Sequence, residues 1–289
     1  MRVSVSSYSF GQQLWAGKMT QLDLVSKVKE MGFDAIEYTD IDGAGDLALQ
    51  KENAKKIRAE ADRVGLEISN YTIGANLYQP TAEAVAAEVE RLKGQVEVAA
   101  ILGAKVMRHD VCWQLGKTGS GRSFGLMLPT IAAAAREVTE YAATFGIKTC
   151  SENHGYIAQD SYRVEQLFNA VNHDNYGLLV DIGNFICVDE DPALAVSRVA
   201  PYAVHVHLKD MLVRPEPVGP ICNATRGCNY FAGTVVGEGD IPVKKCLQIL
   251  KHAGYQGLVS LEYEGAEDCL AGIARGLANV RKILAEINY

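Results

Sequence analysis

No apolar run in the 289-residue chain approaches the ~20 residues that a membrane-crossing helix needs, so a membrane protein is not expected. The opening stretch, residues 1–10, reads as a strand and lacks the basic-then-apolar layout of a signal peptide, which makes a cytoplasmic protein the expectation. Excess positive charge is missing as well. The chain carries 28 Lys and Arg against 35 Asp and Glu, a net charge of −7, and this argues against a nucleic-acid partner, because phosphate binding draws on clustered basic side chains. Seven cysteines occur without a single CxxC pair, so zinc-ribbon and thioredoxin-like layouts fall away. They read as free thiols that behave as small buried hydrophobes, with Cys222 and Cys228 the exposed pair of one loop. No GxGxxG follows the first strand, where Ser6–Gly11 stands, so the fingerprint of an open dinucleotide-binding sheet is lacking. Nor is there a linker, and residues 1–289 read as one domain.

What the chain does have is a repeated unit, in which a helical stretch ends in Gly and a short apolar strand follows. Its glycines are Gly32, Gly65, Gly103, Gly146 and Gly254. Gly is favoured just past a helix end because the backbone there is often left-handed. The first four recur every 33 to 43 residues, and the last gap, 108 residues, equals three units of 36. Tyr176–Asp181 and Ala203–His207 supply the two strands that this gap must hold, and Arg2–Ser7 brings the total to eight. Thr20 with Asp23 forms a capping-box signal; Asp191 ahead of Pro192, and Asp240 ahead of Pro242, read as acidic caps. Strands separated by single helices imply a parallel sheet with right-handed crossovers. Eight such units in a chain of this length fit a closed (β/α)8 TIM barrel. The one long irregular segment, about 211–239 with three prolines in Arg214–Pro220, follows the seventh strand and reads as a lid or wall of the active-site mouth.

In such a barrel the carboxyl ends of the strands converge on one mouth. The residues closing strands two to eight are Glu37, Asn70, His109, Glu152, Asp181, His207 and Glu262. Glu, Asp, His and Glu on four consecutive strands form an oxygen and nitrogen donor set without thiolate, suited to Mn²⁺, Co²⁺, Mg²⁺ or Zn²⁺. Clustered carboxylates without a cation would repel one another at a cost that a divalent ion reverses.

The segments Ser151-Glu152-Asn153-His154-Gly155, Leu179–Phe185, His205-Val206-His207-Leu208-Lys209-Asp210, Val236–Asp240 and Ser260–Gly265 fall in an order that resembles the xylose-isomerase-like TIM-barrel superfamily, in its sugar isomerase/epimerase branch. The resemblance covers nearly the whole chain and is strongest from Gly146 onward. It implies one divalent ion, Mn²⁺ foremost, on Glu152, Asp181, His207 and Glu262. His205 points to the same face as His207 and reads as a hydrogen-bonded core histidine, whereas Glu264 reads as a loop residue beside Glu262. The implied activity is sugar epimerisation or isomerisation: the ion polarises a carbonyl and stabilises an enediolate while Glu152 and Glu262 move protons on opposite faces. The alternative within the superfamily is a lyase or dehydratase that eliminates water or an aglycone from a keto-sugar, keto-glycoside or keto-inositol, with His154 as its candidate acid or base. Substrate contacts are expected from Glu37, His109, Asn184, Lys209, Arg214, Trp15 and Trp113, although each also has a plain structural reading as a capped, paired or packed side chain.

Asn184 stands where many ketose 3-epimerases of this superfamily and its endonuclease IV branch carry His. That departure sets DNA repair aside and questions an ordinary ketohexose as substrate. Barrels often bind phosphate on backbone N–H groups after strands seven and eight. Here the glycines of Gly237–Asp240 and Glu264-Gly265 stand beside acids that repel a phosphate dianion. The expected partner is thus an unphosphorylated carbohydrate, and the expected assembly a homo-oligomer, dimer or tetramer.

Overall fold

The computed structural model describes residues 1–115, 119–219 and 221–289; Pro220, the third proline of the long segment, lies outside the described residues. Among the described residues, eight parallel strands close a barrel: β1 (Val3–Ser6), β2 (Ala35–Thr39), β3 (Glu67–Ile73), β4 (Val106–His109), β5 (Lys148–Glu152), β6 (Tyr176–Asp181), β7 (Ala203–Leu208) and, after an insertion, β11 (Val259–Leu261). Each strand pairs with its sequence neighbours in the barrel, and β11 meets both β7 and β1. The outer layer consists of α2 (Gln21–Met31), α3 (Leu47–Val64), α4 (Ala82–Leu102), α5 (Phe124–Ala143), α6 (Ser161–Val171), α7 (Pro192–Val199), α8 (Val243–His252) and α9 (Cys269–Glu286), with a short α1 (Gly11–Trp15) after β1.

The punctuation expected from the sequence is present. Gly32, Gly65, Gly103, Gly146 and Gly254 all have positive φ, from 66° to 87°. Thr20 and Asp23 form the capping box of α2, and Asp191 caps α7 with Pro192 in its first turn. Asp240 caps nothing. Its carboxylate accepts from the Val213 N–H at 2.8 Å and pairs with Arg214, and α8 begins at Val243 with no side-chain cap. The two acids before Asp191 are tied into the fold as well. Glu190 accepts from the backbone N–H of Ser161 at 2.7 Å, and Asp189 accepts from the Thr225 hydroxyl at 2.7 Å.

Register fixes which side chains enter the barrel, because partners in adjacent parallel strands point the same way. Asp181 sits opposite His207, Arg108 opposite both Thr72 and Cys150, and Glu37 opposite Asn70. Two irregularities, between Ile36 and Glu37 against β3 and between Leu178 and Leu179 against β7, insert Ser69 and Val204. Such bulges re-aim the residues that follow; here they precede Glu37, Asn70 and His205. Cys222 and Cys228 are accessible and the other five cysteines are buried thiols.

Among the described residues, the segment after β7 is only partly irregular. It forms a three-stranded antiparallel sheet from β8 (Asp210–Arg214), β9 (Asn223–Ala224) and β10 (Tyr230–Thr234). The Ala224 carbonyl accepts from the Tyr156 hydroxyl at 3.1 Å, and a bridge joins Gly233 to Gly265, so the sheet braces the loops that follow β5 and β11. Its base is Asp210, a buried carboxylate that accepts from the backbone N–H groups of Met211, Gly237, Gly239 and Ile241 at 2.8–3.1 Å. Replacing Asp210 with Ala leaves these donors without their acceptor, at ~1–3 kcal/mol for each that stays dry. We expect Asp210→Ala to lose at least ~3 kcal/mol of unfolding free energy in urea titration, whereas Asp240→Ala, at an exposed pair, changes it by less than ~1 kcal/mol.

Candidate metal and catalytic site

At the carboxyl end of the barrel the strands bring Glu152, Asp181, His207 and Glu262 together, one ligand atom of each lying within 4.8 Å of all the others. All four side chains are buried. The Nδ1 of His207 points at Glu262 Oε2 (3.5 Å), Glu152 Oε1 (3.7 Å) and Asp181 Oδ2 (3.8 Å). Two of these buried atoms, His207 Nδ1 and Asp181 Oδ2, make no hydrogen bond. Orphaned buried polar atoms are costly, and a pair that faces a shared space with two further carboxylate oxygens fits a divalent cation. Three carboxylates, one imidazole and no thiolate suit the harder divalent ions.

The shell behind the tetrad fixes its orientation. His207 Nε2–H donates to Glu37 at 2.9 Å, which aims Nδ1 into the cluster; His205 Nε2–H donates to the same carboxylate at 2.7 Å, and the Asn70 amide donates at 3.1 Å. Glu37 is thus no pocket residue. It lies fully buried beneath the site and orients the His207 ring, as outer partners of metal-binding histidines do. Asp181 Oδ1 is occupied by the backbone N–H groups of Gly183 and Asn184, at 2.7 and 3.0 Å.

Charge balance comes from two buried cations. Lys209 Nζ lies 2.7 Å from Glu262, 3.2 Å from Glu264 and 3.4 Å from Asp181. Arg108 Nη2 lies 2.7 Å from Glu152 Oε2 and 2.8 Å from Asp110. Burial pushes the Asp181 carboxyl up to about 6, with Glu152 and Glu262 reinforcing and Lys209 opposing. Burial alone would also raise Glu262, but Lys209 and His207 hold it well below the usual carboxylate range. Against its own burial, the His207 imidazole is raised well above its ordinary value by Glu37 and Glu262.

The open pocket above the tetrad, about 160 Å³, is lined by Tyr8, Thr39, Thr72, Arg108, Glu152, His154, His207, Glu262 and Glu264. None of these comes from the β8–β10 sheet, which braces the mouth instead of walling it. His154 Nδ1 hydrogen-bonds Asp110 at 3.0 Å, and Trp113 packs edge-on against the imidazole with centroids 5.4 Å apart. Trp15 stands 78% exposed beside Tyr8, outside this pocket.

Several expected contacts are displaced. His109 is buried on the face of β4 opposite Arg108, with Nδ1 2.9 Å from the Asp110 carbonyl, and it does not line the pocket. Arg214 lies at the far end of β8, paired with Asp240 on the surface. Lys209 is spent on carboxylates. Asn184 is buried, donating to Glu152 Oε1 at 2.9 Å and accepting from Lys209 at 3.2 Å. Sequence reasoning missed Arg108, Asp110 and Tyr8. For Arg108 a signal existed: Glu152 faces inward, hence so do Cys150 and its register partner Arg108, and His109 must face out.

Holding the His207 tautomer is the task of Glu37, so Glu37→Gln should weaken Mn²⁺ binding ~10–100-fold in isothermal titration calorimetry. Because His207 holds its proton to unusually high pH without metal, binding must expel it. Mn²⁺ affinity should therefore rise as pH rises from 6 to 8. Titrations in buffers of different ionisation enthalpy should show about one proton released per ion. A pH-independent affinity with no proton release would contradict the assigned ligand set.

Residues 25–284 match the family model described as xylose isomerase-like TIM barrel. Among curated proteins, an inosose dehydratase of Clostridium botulinum is 28% identical over 46% of this chain and 46% of that protein. The rhizopine catabolism protein MocC of Rhizobium meliloti is 27% identical over 83% of this chain and 73% of that protein. Matches to the inosose dehydratases thus span about half of their length. Among solved structures, D-psicose 3-epimerase from Clostridium cellulolyticum superposes with a TM-score of 0.77 at 18% identity, covering 98% of this chain and 99% of the other; at that identity the likeness is one of fold. The family match over most of its length, together with the closed barrel, shows that the chain belongs to the xylose isomerase-like TIM-barrel family.

Proposed function

We propose that the protein is a divalent-metal-dependent enzyme that removes a proton next to the carbonyl of an unphosphorylated keto-sugar or keto-inositol and then eliminates a β-substituent, water or an aglycone. The observation that carries this reading is the asymmetry of the acid–base groups. Glu152 has both oxygens engaged, Oε2 by Arg108 and Oε1 by Asn184. Glu262 Oε1 accepts no hydrogen bond among the described residues, while its Oε2 meets Lys209. His154, oriented by Asp110, faces the same pocket from the loop after β5. One free carboxylate and one carboxylate-held imidazole make a base and an acid, which elimination requires.

Glu152, Asp181, His207 and Glu262 would hold the ion. When bound, a divalent cation supplies Lewis acidity to a carbonyl and the adjacent hydroxyl oxygen, which acidifies the neighbouring C–H. Glu262 Oε1 then takes the α-proton, and the C–H electron pair becomes the enol double bond. As the carbonyl re-forms, the β C–O bond breaks, its electrons leave with oxygen, and His154 Nε2–H protonates that oxygen. Water, or the alcohol of an aglycone, departs and an α,β-unsaturated ketone remains. The inosose dehydratase relatives support this class of reaction. Lack of phosphate on the substrate is supported by Asp210, which already occupies the N–H groups of Gly237 and Gly239, and by Glu264 in the pocket lining.

Epimerisation is the second reading, favoured by Glu152 and Glu262 reaching one pocket from different strands. The two separate in D₂O with Mn²⁺-loaded protein and a keto-inositol or keto-glycoside. Elimination predicts that His154→Gln loses product formation by ~10²–10⁴-fold yet still exchanges the α-proton into recovered substrate, whereas Glu262→Gln loses both. A deuterated epimer formed equally by wild type and His154→Gln would establish epimerisation instead.

A further inference from the structure

A second cleft, about 660 Å³, opens beside the catalytic pocket and shares Tyr8 and Thr39 with it. It is built by the turn after β1, by α1 and by the loop after β2. The catalytic pocket, at about 160 Å³, falls well below the ~300–1,000 Å³ typical of ligand sites and has room for a single small ring. The cleft falls inside that range. Its aromatic wall is Trp15, edge-on to Tyr8 with ring centroids 6.4 Å apart. Despite its exposure Trp15 is positioned: its ring lies over Gly11 one helical turn earlier, where a Cβ would come within 2.9 Å of it. Asp40 and Asp42, from the loop after β2, also line the cleft. Asp40 is exposed, adopts a left-handed backbone with φ 44° that Asp tolerates, and has a carboxylate that accepts no hydrogen bond among the described residues and is open to an occupant of the cleft. No Lys or Arg is among the lining residues, so the occupant is not an anion.

We propose that this cleft is a substituent subsite that binds a neutral, hydroxyl-bearing ring joined to the keto-sugar by a glycosidic bond, with Trp15 and Tyr8 against the ring face and Asp40 accepting from its hydroxyls. The assignment rests on the keto-sugar reading above and narrows it: the natural substrate is a glycoside, and the group eliminated is the ring seated on Trp15.

The test uses phenyl and methyl β-D-glucopyranosides, which share the sugar, differ in the substituent and, lacking a carbonyl, are not turned over. With Mn²⁺-loaded protein we expect calorimetry to give at least tenfold tighter binding of the phenyl glycoside. Trp15→Ala, at an exposed position, should reduce that preference to less than threefold while leaving the methyl glycoside unchanged. Gly11→Ala, which displaces the Trp15 ring without removing it, should reduce it in the same direction. Equal affinities in the wild type, absence of saturable phenyl-glycoside binding, or a preference that survives Trp15→Ala would each overturn the subsite. A Trp15-dependent preference, in a protein that shows no proton exchange with any keto-sugar, would keep the ring subsite and discard the enolisation reading.

Discussion

Mutual repulsion among buried carboxylates is the constraint around which this barrel is organised. Glu152, Asp181 and Glu262 converge on one point, with Glu37 directly beneath and Asp110 behind Arg108. Two unit charges 4 Å apart at an effective dielectric of 20 interact by about 4 kcal/mol, so such a cluster is untenable unless cations interleave it. Arg108, Lys209 and the His207 ring do so, each held by two or more acids. Buried ion pairs rarely repay their own desolvation. The stability of the fold must come from elsewhere, from the apolar layer between strands and helices, in which residues such as Ile36, Ile68, Leu92, Leu102 and Met107 are fully enclosed.

Much of this was legible in the sequence, and the reason is periodicity. A left-handed Gly at the end of a helix, followed by a short apolar strand, is a local signal repeated often enough to reveal a barrel. The tetrad was legible because its strands end in the very side chains that face inward. The misplacements on β4 and β2 have geometric causes. A strand alternates faces with every residue, so taking the last residue of β4 selected His109 in place of Arg108, and β2 runs two residues past Glu37. The insertions at Ser69 and Val204 shift the alternation again, and nothing in composition marks them. The β8–β10 sheet was hidden because its strands are short, carry no glycine-ended helix between them, and pair with one another instead of with the barrel.

The same site shows how little the fold alone determines the chemistry. A dehydratase and an epimerase both need a tetrad that polarises a carbonyl. What separates them is the handling of the second proton, for which the proposed elimination would draw on contacts the shared frame does not dictate: Asn184 and Arg108 on Glu152, and Asp110 behind His154. These hydrogen bonds make two formally equivalent glutamates unequal, with both oxygens of Glu152 engaged and one oxygen of Glu262 left open; on the proposed reading the first serves as anchored ligand and the second as base.

Asp210 carries a consequence for how this protein can change. Its carboxylate sits where the barrel's seventh loop would otherwise present free backbone N–H groups to an incoming anion, and it acts as a permanent internal pseudo-ligand there. On the proposed reading, substrate charge and the anchoring of the β8–β10 sheet are tied to a single side chain. A descendant that adapted to phosphorylated sugars would first have to vacate this nest, and so would pass through a form whose inserted sheet has lost its anchor before any phosphate arrives to replace it.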